Sequence, residues 1–198
     1  MFKVGVTGGI GSGKSLICSI FGTFGVPVYI ADMHARYLME HDHALAESLK
    51  INFGDSIYME NRLDSQKLAD RVFNDKQALQ KLNSIVHPVV EKDFIQWIGR
   101  QHGCAYIIQE TAVLFESGAW KMMDLIVSVS APEQLRIQRV IKRSNMSREE
   151  VLARIRNQVD QDEINRRADV IIHNDDEHLV LPQIMQLHEK ILQKRLFL

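Results

Sequence analysis

The chain has little of what would mark it as secreted, metal-bound or membrane-embedded. Its 198 residues include two cysteines, Cys18 and Cys104, far apart and without metal-ligand spacing. Such a pair makes neither a zinc site nor a disulfide framework, and it fits a reducing cytoplasm where both act as small apolar fillers. No run of about 18 apolar residues is present, so no membrane span is expected. The formal charge of −1 gives no general pull toward nucleic acid. There is no internal repeat, linker or low-complexity segment. A glycine-rich loop arrives too early in the chain for a secretory signal to be expected. Length and a hydrophobic content of 45% suit one α/β domain with a modest insertion.

What is present begins with "VGVTGGIGSGKS". Gly8 and Gly13, followed by Lys14 and Ser15, match G-x-x-x-x-G-K-[ST], a pattern whose backbone N–H groups cradle phosphate. Gly9, Gly11 and Ser12 fill the loop between them. Phe2–Val6 reads as a buried strand ahead of it, and residues 15–24 as a helix with Leu16, Ile17, Ile20, Phe21 and Phe24 inward. Strand, glycine loop and helix N-terminus together form an anion-binding unit. Lys14 is expected at the β- and γ-phosphates and Ser15 in a Mg²⁺ shell, with the Leu16 N–H free to face phosphate.

Val26–Ile30 reads as a second strand, in which Val28 to Ile30 carry the pairing, and Asp32 falls at its carboxyl end. The segment from about Met33 to Arg100 is mainly helical in pattern, with turns expected at Gly54 and Asn61-Arg62 and a helix beginning near Asp64. His87-Pro88 is expected to interrupt the helix that carries Leu79, Leu82, Ile85 and Val86. "CAYIIQE", "DLIVSVSA" and "DVIIHN" supply further strands. Ser130 is a candidate cap for the helix after Pro132, and Ser147 with Glu150 predicts a capping box opening a helix from Arg148 to about Val159. Pro182 fits the first turn of a closing helix. The alternation predicts α/β architecture, a parallel sheet flanked by helices on both faces. Its crest would gather the phosphate loop, Asp32, Glu110 and the arginines after Pro132 into one cleft.

Phosphoryl transfer needs an acceptor-orienting group, metal support and cations on the migrating phosphoryl. Asp32 is the candidate for the first, as a carboxylate able to hold an alcohol and accept its proton, or else as a helix cap. Arg36, one turn on, could pair a substrate phosphate or stand as a solvated surface arginine. Arg139 and Arg143, four apart on a helix leading into a polar segment, suit a mobile lid that closes over ATP and excludes water, or else form a solvated basic face. Glu110 suits the metal and Glu116 the same cleft; His87 reads equally as a substrate contact or as a cap or core histidine. The Asn-Lys-x-Asp sequence by which switch GTPases read guanine is absent. A small-molecule kinase fits best, while a kinase of nucleoside monophosphates or shikimate, and a non-catalytic ATP-binding regulator, stay open.

Taken together, "VGVTGGIGSGKS", "VPVYIADMHAR", "RLDSQKLADRVFND", "LNSIVHPVV", "LFESG", "RIQRVIKR", "ARIRNQ" and "ADVIIHN" resemble the dephospho-coenzyme A kinases, over nearly the whole chain. The resemblance implies a P-loop kinase that uses ATP and Mg²⁺ to phosphorylate the ribose 3′-hydroxyl of dephospho-coenzyme A, a small-molecule partner. It implies a core of residues 1–32 and 104–198, a helical acceptor-binding insertion at about 33–103 containing His87, and a helical lid at about 139–158. It assigns Gly8 to Ser15 to ATP, Asp32 to the acceptor side, and Arg139 and Arg143 to the lid. Family members usually carry Asp-Ala-Asp where this chain has Ile30-Ala31-Asp32, so Asp32 is left with the work. Leu16 stands where threonine is common, a change that spares a backbone contact. Ala112 replaces a frequent proline, and Glu110 an aspartate.

Overall fold

In the computed structural model, which describes residues 1–59, 62–72, 75–144 and 146–193, strand β1 (Phe2–Thr7) leads through the glycine loop into helix α1 (Lys14–Thr23) and strand β2 (Val28–Ile30). Helices α2 (Ala31–His41) and α3 (His43–Phe53), a small hairpin of β3 (Tyr58–Met59) and β4 (Arg62–Leu63), and helices α4 (Ser65–Val72) and α5 (Lys76–Gly99) follow. The chain then forms β5 (Tyr106–Glu110), β6 (Leu125–Ser130), α6 (Glu133–Ser144), α7 (Arg148–Arg156), α8 (Gln161–Arg167), β7 (Val170–His173) and α9 (Val180–Leu192). Two compact units result: Met1–Tyr29 with Gln101–Leu198, and Ile30–Arg100.

The first unit is built on a five-stranded sheet in the order β2-β5-β1-β6-β7. β1 pairs parallel with β5 (Val4 opposite Ile108) and with β6 (Val6 opposite Val127), and β6 pairs parallel with β7. The strands read as continuous apolar runs because both faces are covered. Val4, Val6, Leu125, Val127 and Val129 point to one face, where Ile17, Cys18 and Phe21 of α1 meet Ile184, Leu187 and Ile191 of α9. On the other face Ile126 joins Leu114, Phe115 and Ile164. Truncating a fully buried member such as Ile17 or Phe21 to alanine would cost about 2–5 kcal/mol. Leu16 and Phe24, expected inward, are exposed: α1 needs only a narrow apolar stripe, and these two fall off it.

Capping chemistry sets several boundaries. Ser147 and Glu150 form the expected reciprocal box, with Glu150 N–H donating to Ser147 Oγ at 3.2 Å and Ser147 N–H to Glu150 Oε2 at 2.7 Å. The helix they open stops at Arg156, short of Val159, because the chain turns there into α8. Ser130 does not cap α6; its hydroxyl accepts the Asn165 amide at 3.2 Å, and the helix starts at Glu133, directly after Pro132. Pro182 lies in the first turn of α9, as expected.

In the second unit α2 and α3 pack on α5 around buried Leu45, Leu49, Phe53, Val86, Val90 and Phe94. Asp42 and Asp75 cap α3 and α5 through their side chains, and Asp64 accepts from Lys67 N–H at the start of α4. Helix α5 runs unbroken through His87-Pro88, which corrects the expected interruption. Pro88 is exposed, so the Ser84 carbonyl that loses its donor faces water, and burial of Val86, Val90 and Phe94 on either side outweighs a penalty of about 3 kcal/mol. Of the expected Asn61-Arg62 turn, Asn61 lies outside the described residues, and Arg62 opens β4.

Candidate nucleotide site

Between β1 and α1 the loop folds back on itself, with Ser12 N–H donating to the Gly9 carbonyl at 3.1 Å. Gly11 (φ 80°) and Gly13 (φ 98°) lie in the left-handed region that favours glycine, and a side chain at Gly13 would also run into the Asn174 amide. Gly13 precedes the first turn of α1 and offers no side-chain cap. Among the described residues, the N–H groups of Gly11, Gly13 and Ser15 have no protein acceptor. The Leu16 N–H, expected to be free, donates to the Gly13 carbonyl at 3.0 Å, because the first turn is wound tightly enough for an i→i+3 bond.

Lys14 is 8% exposed and curls over the loop, its Nζ donating to the carbonyls of Gly8 at 2.9 Å and Gly9 at 3.4 Å. Glu110, buried at the end of β5, lies opposite Val6 in register, and its Oε2 is 3.5 Å from Ser15 Oγ. One turn into α1, burial pushes the Cys18 thiol well above its ordinary range. The Glu110 charge adds to that shift and the Lys14 charge opposes it, so all three groups share one electrostatic neighbourhood.

The outer limb of the loop is held from far along the chain. Gly9 N–H donates to Gln161 Oε1 at 3.0 Å and Ile10 N–H to Gln158 Oε1 at 2.9 Å. Asn174 Nδ2 donates to the Ser12 carbonyl at 2.7 Å. Arg136 is 5% exposed with its guanidinium against Gly9; burial pulls its proton affinity down while Glu133 and Asp160 oppose that shift. Among the described residues, the Arg136 Nε and the Ser12 Oγ find no hydrogen-bond partner, and both are buried. A cleft of about 390 Å³ opens here, lined in part by Glu133, Arg136, Asp160, Gln161, His173 and Asp175.

The family model for dephospho-CoA kinase matches residues 2–180. The chain belongs to the dephospho-CoA kinase family. A dephospho-CoA kinase of Bacteroides fragilis is 36% identical over 192 residues, which are 97% of this chain and 94% of that protein. One from Porphyromonas gingivalis is 35% identical over 196 residues, 98% and 96% of the two chains. A crystal structure of a Thermus thermophilus protein, 33% identical, is similar with a TM-score of 0.83 and covers 98% of this chain and 97% of that one. The chain is therefore an ATP-dependent transferase of coenzyme A biosynthesis with the P-loop kinase fold.

Within the first unit the structure brings together Gly8, Gly9, Gly11, Ser12, Gly13, Lys14, Ser15 and Glu110. Arg139 sits on α6 with Nη1 donating to the Asn174 carbonyl at 2.8 Å and Nη2 to Asp176 at 2.6 Å. Arg143 is exposed in the last turn of the same helix. Glu116 accepts from the Val159 N–H at 2.9 Å. Asp32, Arg36 and His87 belong to the second unit. Asp32 is exposed in the first turn of α2, which begins at Ala31, so it is not that helix's cap. Arg36 Nε reaches Glu40 at 3.4 Å, and His87 is half-buried well inside α5, which excludes a capping role.

Sequence reasoning missed Gln158, Gln161 and Asn174, although "ARIRNQ" and "ADVIIHN" contain the first and third. An amide in a polar segment carries no local pattern, and its partner is a backbone group more than a hundred residues away.

Proposed function

We propose that the Gly8–Ser15 loop, with Leu16 following, receives the terminal phosphates of ATP, and that Asp32 orients the ribose 3′-hydroxyl of dephospho-CoA and takes its proton as the phosphoryl group arrives. The observation that carries the nucleotide half is the loop itself. It offers the N–H groups of Gly11, Gly13 and Ser15 beside a buried ammonium. Lys14 now donates to carbonyl dipoles; anionic phosphate oxygens are stronger acceptors, so the ammonium moves onto them.

Ser15 and Glu110 fit a hard divalent cation, since their oxygens face one another at 3.5 Å and both are donor types that Mg²⁺ prefers. They would hold it, and when bound it neutralises charge on the phosphates. Arg139 and Arg143 act from a lid of about residues 139–158. Arg139 exchanges its bonds to Asn174 and Asp176 for phosphoryl oxygens, while Arg143 contributes from one turn on. The insertion holds the rest of the acceptor, with Arg36 and His87 as its contacts, and Glu116 is assigned to the acceptor from the first unit. The reaction proposed here acts on a small molecule in the cytoplasm; among the described residues no helix is long and apolar enough to cross a membrane.

A coupled ADP-release assay across dephospho-CoA, adenosine, AMP and shikimate, with and without Mg²⁺, tests the acceptor. Turnover with dephospho-CoA alone is expected. In the same assay Asp32→Asn should lower kcat by about a hundredfold or more with little change in ATP binding. Equal loss of binding and turnover would assign Asp32 a structural role.

A further inference from the structure

The phosphate loop has two limbs with different duties. The inner limb, on the function proposed above, presents N–H groups to phosphate; the outer limb, Gly9-Ile10, turns its N–H groups the other way, onto Gln161 and Gln158. Gln161 is itself immobilised. Its Nε2 donates to Ser128 Oγ at 3.1 Å and Asn165 Oδ1 at 2.9 Å, and Ser128 donates to Asn165 at 2.7 Å, so its carbonyl cannot rotate away from Gly9 without breaking a buried network. Gln158 lies just past α7, which Val151 seats on Ile137 and Val140 of α6. The Ile10 side chain packs against that same cluster. Ile10 is thus gripped twice by the α6–α7 pair, through its side chain and through its backbone N–H.

We propose that Gln158 and Gln161 are positioning residues for ATP, holding Gly9-Ile10 so that the inner N–H groups stay aimed at phosphate. Gln161 fixes the loop to the sheet through Ser128 of β6. Gln158 makes the loop's shape depend on where α7 sits. A loop rich in glycine has many conformations available, and binding phosphate requires one of them; fixing the outer limb beforehand removes that ordering cost from the binding step. The effect should fall on the nucleotide rather than on the acceptor, because among the described residues the partners of both glutamines all lie in the first unit.

The test compares Gln158→Met, which keeps the volume and loses the acceptor, with Gln158→Glu, which keeps an oxygen for the Ile10 N–H. ATP binding is read by titration calorimetry without any acceptor, and turnover with dephospho-CoA is read separately. Failure of the acceptor assignment would then leave the binding result intact. Gln158→Met should weaken ATP binding about tenfold or more, with KM for dephospho-CoA unchanged and kcat at saturating ATP within about threefold of the parent. Gln158→Glu should restore ATP binding to within about threefold. The proposal is overturned if Gln158→Met binds ATP as the parent does while only its melting temperature falls. It is equally overturned if the glutamate variant binds as poorly as the methionine one. Gln161→Met should follow Gln158→Met; normal ATP affinity there would remove Gln161 from the assignment.

Discussion

Replacing Gly13 with alanine should act through two separable costs. The residue sits at φ 98° and ψ 20°, where an L side chain is strained by about 1–2 kcal/mol. The new methyl also runs into Asn174 Nδ2, which donates to the Ser12 carbonyl at 2.7 Å in a buried setting. Displacing that amide leaves a buried acceptor without its donor, worth about 1–3 kcal/mol. The sum is roughly 2–5 kcal/mol, and at about 2–4 °C per kcal/mol for a chain of this length the melting temperature should drop by roughly 4–20 °C. Calorimetric melting of Gly13→Ala, Asn174→Ala and the double variant separates the terms. In the Asn174→Ala background the methyl has room, so Gly13→Ala should then cost only the backbone strain. A cost that is the same in both backgrounds would refute the steric part of the reasoning, and one below about 1 kcal/mol in the parent would refute both parts.

Three other outcomes follow from the site. On the proposed loop assignment Lys14→Met should raise KM for ATP and lower kcat together, since the ammonium would meet phosphate both before and during transfer; steady-state kinetics with unchanged ATP parameters would contradict that assignment. Arg139→Ala should lower kcat by about tenfold or more while KM for dephospho-CoA stays put; the reverse ranking would move Arg139 to the acceptor side. Burial and the nearby Glu110 carboxylate raise the Cys18 pKa, so its thiol stays protonated through pH 8 and resists alkylation, whereas the partly exposed Cys104 reacts. Mass spectrometry after brief iodoacetamide treatment should show one adduct at Cys104, and an adduct at Cys18 would contradict the buried placement.

The parts of the site that were legible in the sequence are those whose cause is local. The loop announces itself because glycine spacing, a lysine and a serine must be contiguous for their N–H groups and side chains to converge. The capping box at Ser147 and Glu150 is legible for the same reason, its two bonds closing within four residues. Helix α5 misleads at Pro88 because a local penalty is outweighed by burial contributed by other helices. The two-residue strands Tyr58–Met59 and Arg62–Leu63 are too short to show a period. In the sequence Arg136 is one more cation on a basic helix, yet it is buried against Gly9, a placement that depends on packing between distant segments. Gln158, Gln161 and Asn174 were illegible because the loop groups they hold are main-chain atoms, which leave no signature in side-chain identity.

The position of β1 in the middle of the sheet bears on how the protein is made. Phe2 pairs with Tyr106 and Val4 with Leu125, so both neighbours of the first strand are translated after Ile30–Arg100. A nascent chain that stops before Tyr106 carries Val4 and Val6 with neither hydrogen-bonding edge occupied. Such non-local parallel pairing is slow to form and invites aggregation in the interval. Chaperone engagement should therefore peak while the ribosome is translating that stretch and decline once Leu125–Ser130 has emerged.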